Sequence, residues 1–308
     1  MPDQTPERRT AIGLTFAVAA YVLWGFLPLY FSALAPAGAI EVVAWRVLLS
    51  LVFCAALLTV TRGWPALLAI VRDRRTMLIM GVAGVFILVN WLVYVYAALS
   101  GHIVEASLGY FTNPIVTVLL GVIVLRERLR PLQWTAIGIS ALAVLVLAVN
   151  YGKFPWIALA LAFSFGLYGF IKKQVGGRVD AISGLTVETA WLAPVAAVVV
   201  IVIAINGDLV MGTQGTGHTV LLLLAGGITA IPLLLFAAAA RRLPLAYLGL
   251  TQYLAPVIQF LIGVFVFRED MPFARWLGFA LVWVALVVLT VDMFRSNRAA
   301  RRAALEPI

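Results

Sequence analysis

The sequence predicts an all-α membrane protein of ten transmembrane helices in two inverted five-helix repeats, and three observations carry that expectation. Hydrophobic residues make up 64% of the chain and charged residues only 11%, so the polar residues needed to cover a water-soluble surface are missing. The apolar residues gather into continuous runs. A pattern in the middle of the chain, NPIVTVLLGVIVLRERL from Asn113, returns near its end as APVIQFLIGVFVFREDM from Ala255.

A helix needs about 20 apolar residues to cross a hydrocarbon layer of about 30 Å. Ten runs approach that length, at 11–34, 39–61, 77–99, 105–125, 132–149, 155–171, 182–205, 219–240, 245–267 and 276–293. A closed β-barrel would show short alternating segments instead. The amino-terminal MPDQTPERRT runs into an apolar stretch too long for a signal-peptide core and without a small-residue cleavage site, so the first span is expected to be retained. The second span holds Glu41, Arg46 and the single cysteine, Cys54, which has no partner for an internal disulfide and reads as a packing residue. The third carries Asn90, Trp91 and Tyr94, and the fourth Tyr110, Asn113, Pro114 and Thr117. The sixth contains LAFSFGLYGFIKK, and the seventh contains Glu188. His218 falls in the Gly-rich stretch before the eighth span and reads as solvated loop. Gln252, Tyr253, Pro256 and Gln259 lie in the ninth, and the tenth leads into a basic tail at 295–308.

Lys and Arg in short loops stay on the cytoplasmic side. With the amino terminus inside, the inner segments hold all but four of the 22 basic residues; Lys153, Arg268 and Arg275 fall outside and Arg46 within a span. Both termini are therefore expected in the cytoplasm. The net charge of +9 is a topology signal, and no soluble segment is long enough to gather it into a nucleic-acid-binding face.

At the offset of 142, Pro114 aligns with Pro256, Gly121 with Gly263, Arg126-Glu127 with Arg268-Glu269 and Trp134 with Trp276. Trp24-Gly25 echoes Phe165-Gly166, and Glu41 echoes Glu188. The chain thus divides into repeats at 1–150 and 151–294, and an odd number of spans in each forces the second to enter the membrane from the opposite side. Inverted repeats are a construction of secondary transporters, in which two similar halves exchange conformations about a midplane site. The alternative is a non-transporting sensor or scaffold. No His and Cys cluster with metal spacing, phosphate loop or nucleophile elbow points to an enzyme, and no cofactor or metal is implied. His102 and Glu105 could in principle hold a metal, but a first-turn Glu favoured by the helix dipole is the simpler reading.

The segments NWLVYVYAALSGHIVEASLGYFTNPIVTVLLG and ITAIPLLLFAAAARRLPLAYLGLTQYLAPVIQFLIGVFVFRED resemble the RarD-type permeases, named for chloramphenicol sensitivity, of the EamA branch of the drug/metabolite transporter superfamily. EVVAWRVLLS and LTVETAWLAP extend the resemblance across nearly all ten spans. It implies a permease of small organic solutes, drugs such as chloramphenicol or metabolites, in a bacterial cytoplasmic membrane, with lipids as surroundings and a homodimer as one arrangement.

The polar residues within the spans nominate a cavity. Proline in a helix removes one hydrogen bond and displaces the carbonyl four residues earlier, so Pro114 and Pro256 are expected to be hinges that free the carbonyls of Tyr110 and Gln252. Tyr110, Asn113 and Thr117 share one face of their helix, and Gln252, Tyr253 and Gln259 cluster on the ninth span. In the third span Asn90 and Tyr94 are four apart, flanking Trp91. Buried charge is costly in lipid, so Arg46 and Glu188 are assigned to the cavity, with Glu41 and Glu188 as candidates for proton coupling. Interhelical hydrogen bonding is the duller role for all of these groups.

Overall fold

The computed structural model describes residues 6–303 apart from 127–128, 151–153, 176–177 and 244, so Glu127, Arg128 and Lys153 lie outside the described residues. Among those described, every regular element is helical. The first three expected spans are α1 (Pro6–Ser32), α2 (Ala39–Thr61) and α4 (Arg74–Leu99). They are followed by α5 (Ile103–Leu125), α6 (Pro131–Asn150), α7 (Trp156–Lys173) and α8 (Ala181–Ile205). A short α3 (Trp64–Arg72) was not expected; Gly63 precedes it, Pro65 sits in its first turn, and its nine residues are too few to cross a bilayer. The eighth span is α9 (Gly215–Leu223) and α10 (Ala225–Ala240), so His218 stands in a helix and not in solvated loop. The tenth, α13 (Phe273–Ala303), runs on through most of the segment expected as a tail.

The ninth span departs most from the expected continuous helix. It is split into α11 (Leu245–Thr251), α12 (Leu254–Leu261) and a π-helical turn at Ile262–Val266. The break falls at Gln252-Tyr253. Pro256, which has no N–H to return to the Gln252 carbonyl, sits three residues beyond it, so the proline interrupts the span near its start instead of bending it at the middle. Nine helices among the described residues are long and apolar enough to cross a membrane, and Leu254–Val266 is a shorter apolar segment.

Side-chain links fix which helix ends lie together. Glu41 at the start of α2 meets Val210 after α8, Glu269 meets the start of α5, and Glu105 meets the start of α7. These ends form one face of the bundle. At the other, Arg130 before α6 pairs with Asp292 of α13 at 2.9 Å, and the Arg242 guanidinium covers Phe16 of α1 at 5.3 Å from the ring centroid. The second face, with Arg62, Arg72, Arg74, Arg75, Arg130, Lys172, Lys173, Arg241 and Arg242, is the arginine-rich end. Helix starts there are capped by carboxylates. Asp73 accepts from Arg75 N at 3.0 Å and from Thr76 Oγ1 at 2.6 Å, and those bonds, the Thr76 hydroxyl first, hold its carboxyl below the usual range.

α2 packs along α8, α6 along α13, and α7 lies between α4 and α5; α1 packs on α10 and α12, and α10 on α2. Small residues set the closest approaches. A Cβ on Gly226 would stand 2.4 Å from the Leu49 carbonyl oxygen, and one on Gly109 would stand 2.6 Å from that of Ala158. Without a hydrophobic force between helices in lipid, such backbone proximity is what association depends on. The interior is filled by residues such as Phe31, Val43, Ile87, Trp91, Leu161 and Ala230, whereas Val60, Phe265 and Val149 are exposed on the perimeter, as suits a lipid-facing surface. The repeated Arg-Glu motif recurs in backbone form: Arg126 after α5 and Arg268 after the π turn both adopt left-handed φ, at 55° and 52°. Few non-glycine residues do so.

Candidate functional site

Arg46 sits at the third turn of α2 and points inward. It is 5% exposed, so the side chain does not reach back to the interface. Its Nε donates to Thr229 Oγ1 of α10 at 2.7 Å, and its guanidinium carbon lies 4.3 Å from the Trp91 ring centroid and 5.5 Å from that of Phe31. Cation–π contacts of this kind contribute about 2 kcal/mol when desolvated, which offsets part of the burial cost of the charge. Tyr30, Tyr94 and Tyr110 complete the surroundings. The residue therefore occupies an aromatic cage contributed by α1, α4 and α5.

The third-span and fourth-span candidates converge on this cage. Tyr110 donates its hydroxyl to Asn90 Oδ1 at 3.0 Å, and Asn90 Nδ2 donates to Leu161 O and Ser164 Oγ of α7 at 3.3 and 3.2 Å. Tyr94 packs edge-on against Tyr110 and Phe31 with centroids 5.6 and 6.0 Å away, and its buried hydroxyl has no hydrogen-bond partner. Gln259 of α12 reaches across to donate to the Trp24 carbonyl at 3.1 Å, leaving its own Oε1 buried without a partner.

Asn113, Gln252 and Tyr253 gather elsewhere. They line a cleft of about 310 Å³ that runs from Asn113, Pro114 and Thr117 in the middle of α5 to Arg130, Gln133 and Asp292 at the arginine-rich end. The break in the ninth span forms one wall of it. Asn113 Oδ1 is buried there without a partner, and Tyr110 lies three residues away on the same helix, so the cleft ends about 4.5 Å along the axis from the cage.

The carboxylates separate from Arg46. Glu41 turns away from it and accepts from Val210 N at 3.1 Å and Met211 N at 2.9 Å, holding the loop after α8. Glu188 is 1% exposed and pairs with Lys172 Nζ at 3.0 Å, an ionic contact whose angle is poor for a hydrogen bond. Tyr168 bridges the two, accepting from Lys172 at 2.7 Å and donating to Glu188 at 3.3 Å. Sequence reasoning treated Lys172 as a loop cation; its spacing of four from Tyr168 was the available signal. It also missed Phe31, Thr229 and Glu269, because single apolar or hydroxyl residues in a span and a carboxylate in a loop carry no local mark of their partners.

Three carboxylates cross between the two halves at the face opposite the arginine-rich end. Glu41 of the first half holds Val210 and Met211 of the second, and Glu105 of the first accepts from Ile157 N of the second at 3.0 Å. Glu269 of the second accepts from Ile103 N and from Val104 N of the first. Glu105 thus caps a neighbouring helix and not its own. Its neighbour His102 contacts Ser100 Oγ through Nδ1 at 3.0 Å, and among the described residues no group of three His, Cys, Asp or Glu side chains could hold a metal. His218 reaches the Leu34 carbonyl at 2.8 Å, a half-buried link between α9 and the end of α1.

Comparison with known proteins adds the following. The model of the EamA-like transporter family matches residues 11–149. A protein named RarD from Streptomyces exfoliatus is 46% identical over 295 residues, covering 96% of this chain and 92% of that protein. An uncharacterized transporter from Vibrio cholerae is 38% identical over 302 residues, with 98% of each chain covered. A solved structure, described as a crystal structure of a protein, superposes with a TM-score of 0.57 over 92% of this chain and 97% of that one; at 21% identity it shares the fold alone.

Proposed function

This chain belongs to the RarD-type permeases of the EamA-like transporter family, a multi-pass bacterial membrane transporter and not an enzyme, and from that premise we propose that it carries small organic solutes by alternating access. One observation carries the reading. The face with Glu41, Glu105 and Glu269 is sealed by hydrogen bonds between the halves, while a cleft opens toward the arginine-rich end and stops at Asn113, about one helical turn from Tyr110. A protein closed on one side and open on the other around a buried polar site has the form of one state of a two-state carrier.

On this reading the arginine-rich end is cytoplasmic, both termini are inside, and the membrane is the bacterial cytoplasmic one. The chain has ten crossings, the broken segment α11 to the π turn being the ninth, in two inverted repeats at 1–150 and 151–294. The family model's match to 11–149 and the shared left-handed φ of Arg126 and Arg268 support that division. Pro114 and the Pro256 break are the hinges, and Glu188, paired with Lys172, is the proton-coupling candidate. The substrates are small organic solutes, metabolites or drugs such as chloramphenicol. Metabolite profiling tests the reading: a deletion strain and an overexpressing strain should differ, in opposite senses, in a set of chemically related solutes. Identical profiles contradict transport.

A further inference from the structure

We propose that Arg46 and the groups around it bind the carboxylate of a small organic anion whose planar, apolar body lies on the surrounding rings. The inference rests on the transport reading and names the substrate class for its central site. Arg46 is a buried cation, and among the described residues no carboxylate comes within 4.0 Å of it. Glu41, on its own helix, is committed to the backbone of Val210 and Met211. Elsewhere in the bundle the half-buried ammonium of Lys172 has Glu188 as its anion. Arg46 has hydroxyl and ring contacts in that place.

The guanidinium is also half used. Only Nε has a hydrogen-bond partner, Thr229, and among the described residues the two terminal nitrogens have none. Those nitrogens form the edge that grips a carboxylate with two parallel bonds. Phe31 and Trp91 fix the plane of the fork from outside, so it is held ready before any ligand arrives.

Two further unpartnered groups mark the rest of the ligand. The Tyr94 hydroxyl and Gln259 Oε1, both on residues 3% exposed, lack a well-formed hydrogen bond, and the Gln259 side chain lies beside the Tyr94 hydroxyl. Buried polar groups left unpaired in a folded protein call for an occupant. A carboxylate satisfies Arg46 and Tyr94 together, and a hydroxyl elsewhere on the ligand satisfies Gln259. Phe31, Tyr94 and Tyr110, packed edge-on on one another, make with Trp91 an aromatic wall for a flat apolar body to lie against. The cleft ending at Asn113, one turn from Tyr110, supplies the route in.

Calorimetric titration of the purified full-length protein tests this with three probes: 4-hydroxybenzoate, its neutral amide 4-hydroxybenzamide, and inorganic phosphate. The carboxylate should bind saturably, and the amide and phosphate at least about tenfold more weakly, because only the carboxylate offers a paired charge and a flat body. Arg46→Gln should weaken the carboxylate by about tenfold or more, and Tyr94→Phe by about fivefold. The second variant keeps the ring and removes a hydroxyl that has the Gln259 side chain beside it but no well-formed hydrogen bond, so it folds like the parent and decides the matter if Arg46→Gln does not fold. Absence of binding by the parent, equal binding of acid and amide, or parental affinity in Tyr94→Phe overturns the proposal. Binding is scored without transport: Arg46-dependent binding with no solute flux in proteoliposomes removes the transport reading alone. Flux that Arg46→Gln leaves unchanged removes the anion site alone.

Discussion

Replacing Glu269 by Ala should open the face opposite the arginine-rich end. The carboxylate accepts from Ile103 N and from Val104 N, the first turn of α5, and so supplies the acceptor that a capping residue supplies within one chain segment. Losing such an acceptor costs about 1 kcal/mol, within a range of about 0.5–2. The buried Arg275 guanidinium stands 3.9 Å from the same carboxylate and keeps its bond to the Asp270 carbonyl at 2.7 Å when Glu269 is lost, so about 1 kcal/mol is a lower figure. If the open state exposes Glu269 to water, the whole cost falls on the closed state and the open population rises about fivefold. A cysteine at Val104 reports it. Val104 is fully buried against Gly263 of the other half, whose added Cβ would meet it at 2.7 Å. In a Cys54→Ser background, labelling by an impermeant thiol reagent should quicken about fivefold with Glu269→Ala. Burial, with Glu105 beside it, raises the Glu269 carboxyl above the usual range against the pull of the two backbone N–H groups. The closed state therefore holds the proton more tightly than an exposed carboxylate would, gains stability as pH falls through the raised value, and loses that gain above it. Labelling should slow on acidification in the parent and lose that dependence in Glu269→Ala. Equal labelling rates in the two proteins at every pH refute the latch.

Three other outcomes follow from the same geometry. Pro256→Ala gives the Gln252 carbonyl an N–H partner worth about 1 kcal/mol, so it should join α11 to α12 and slow exchange between states at unchanged abundance; parental transport rates show that the break is only structural. A cysteine at Arg130 should resist an impermeant thiol reagent in intact cells while one at Pro272 reacts, and equal labelling of both contradicts the inverted arrangement. Glu188→Gln leaves Lys172 without its anion, at a cost of about 3 kcal/mol, the low side for a broken pair because the Lys172 side chain is 31% exposed. The melting temperature should fall, and any response of transport to a proton gradient should vanish with it; a gradient response that survives excludes Glu188 as the coupling site.

Much of this architecture is legible in the sequence because lipid imposes a simple rule. A backbone in hydrocarbon must satisfy itself, so apolar runs of sufficient length become helices, and eight of the ten runs are single helices or nearly so. The exceptions have physical causes that periodicity does not report. The ninth run breaks before Pro256, where the missing N–H and the wall of a cleft meet, and α3 forms because Pro65 starts a short helix that no membrane rule requires. Arg46, Asn90, Trp91, Tyr94 and Tyr110 were legible as a cluster because polar groups in lipid need partners. Their actual partners were not. Thr229 and Phe31 lie 183 residues after and 15 before Arg46 in the chain, and only packing brings them to it. The partners of Glu41 were hidden for the same reason: they are backbone N–H groups, which no side-chain pattern reveals.

Alternation between two states is tested most directly by measuring distances at both faces in one preparation. Spin labels at Ser100 and Thr213 span the halves at the sealed face, and labels at Arg130 and Tyr247 span them at the arginine-rich end. Each pair should show two populations whose weights move in opposite directions, the first pair lengthening as the second shortens when Glu269→Ala is introduced. A single distance at each face, unmoved by that substitution and by 4-hydroxybenzoate, contradicts a carrier that opens to one side at a time.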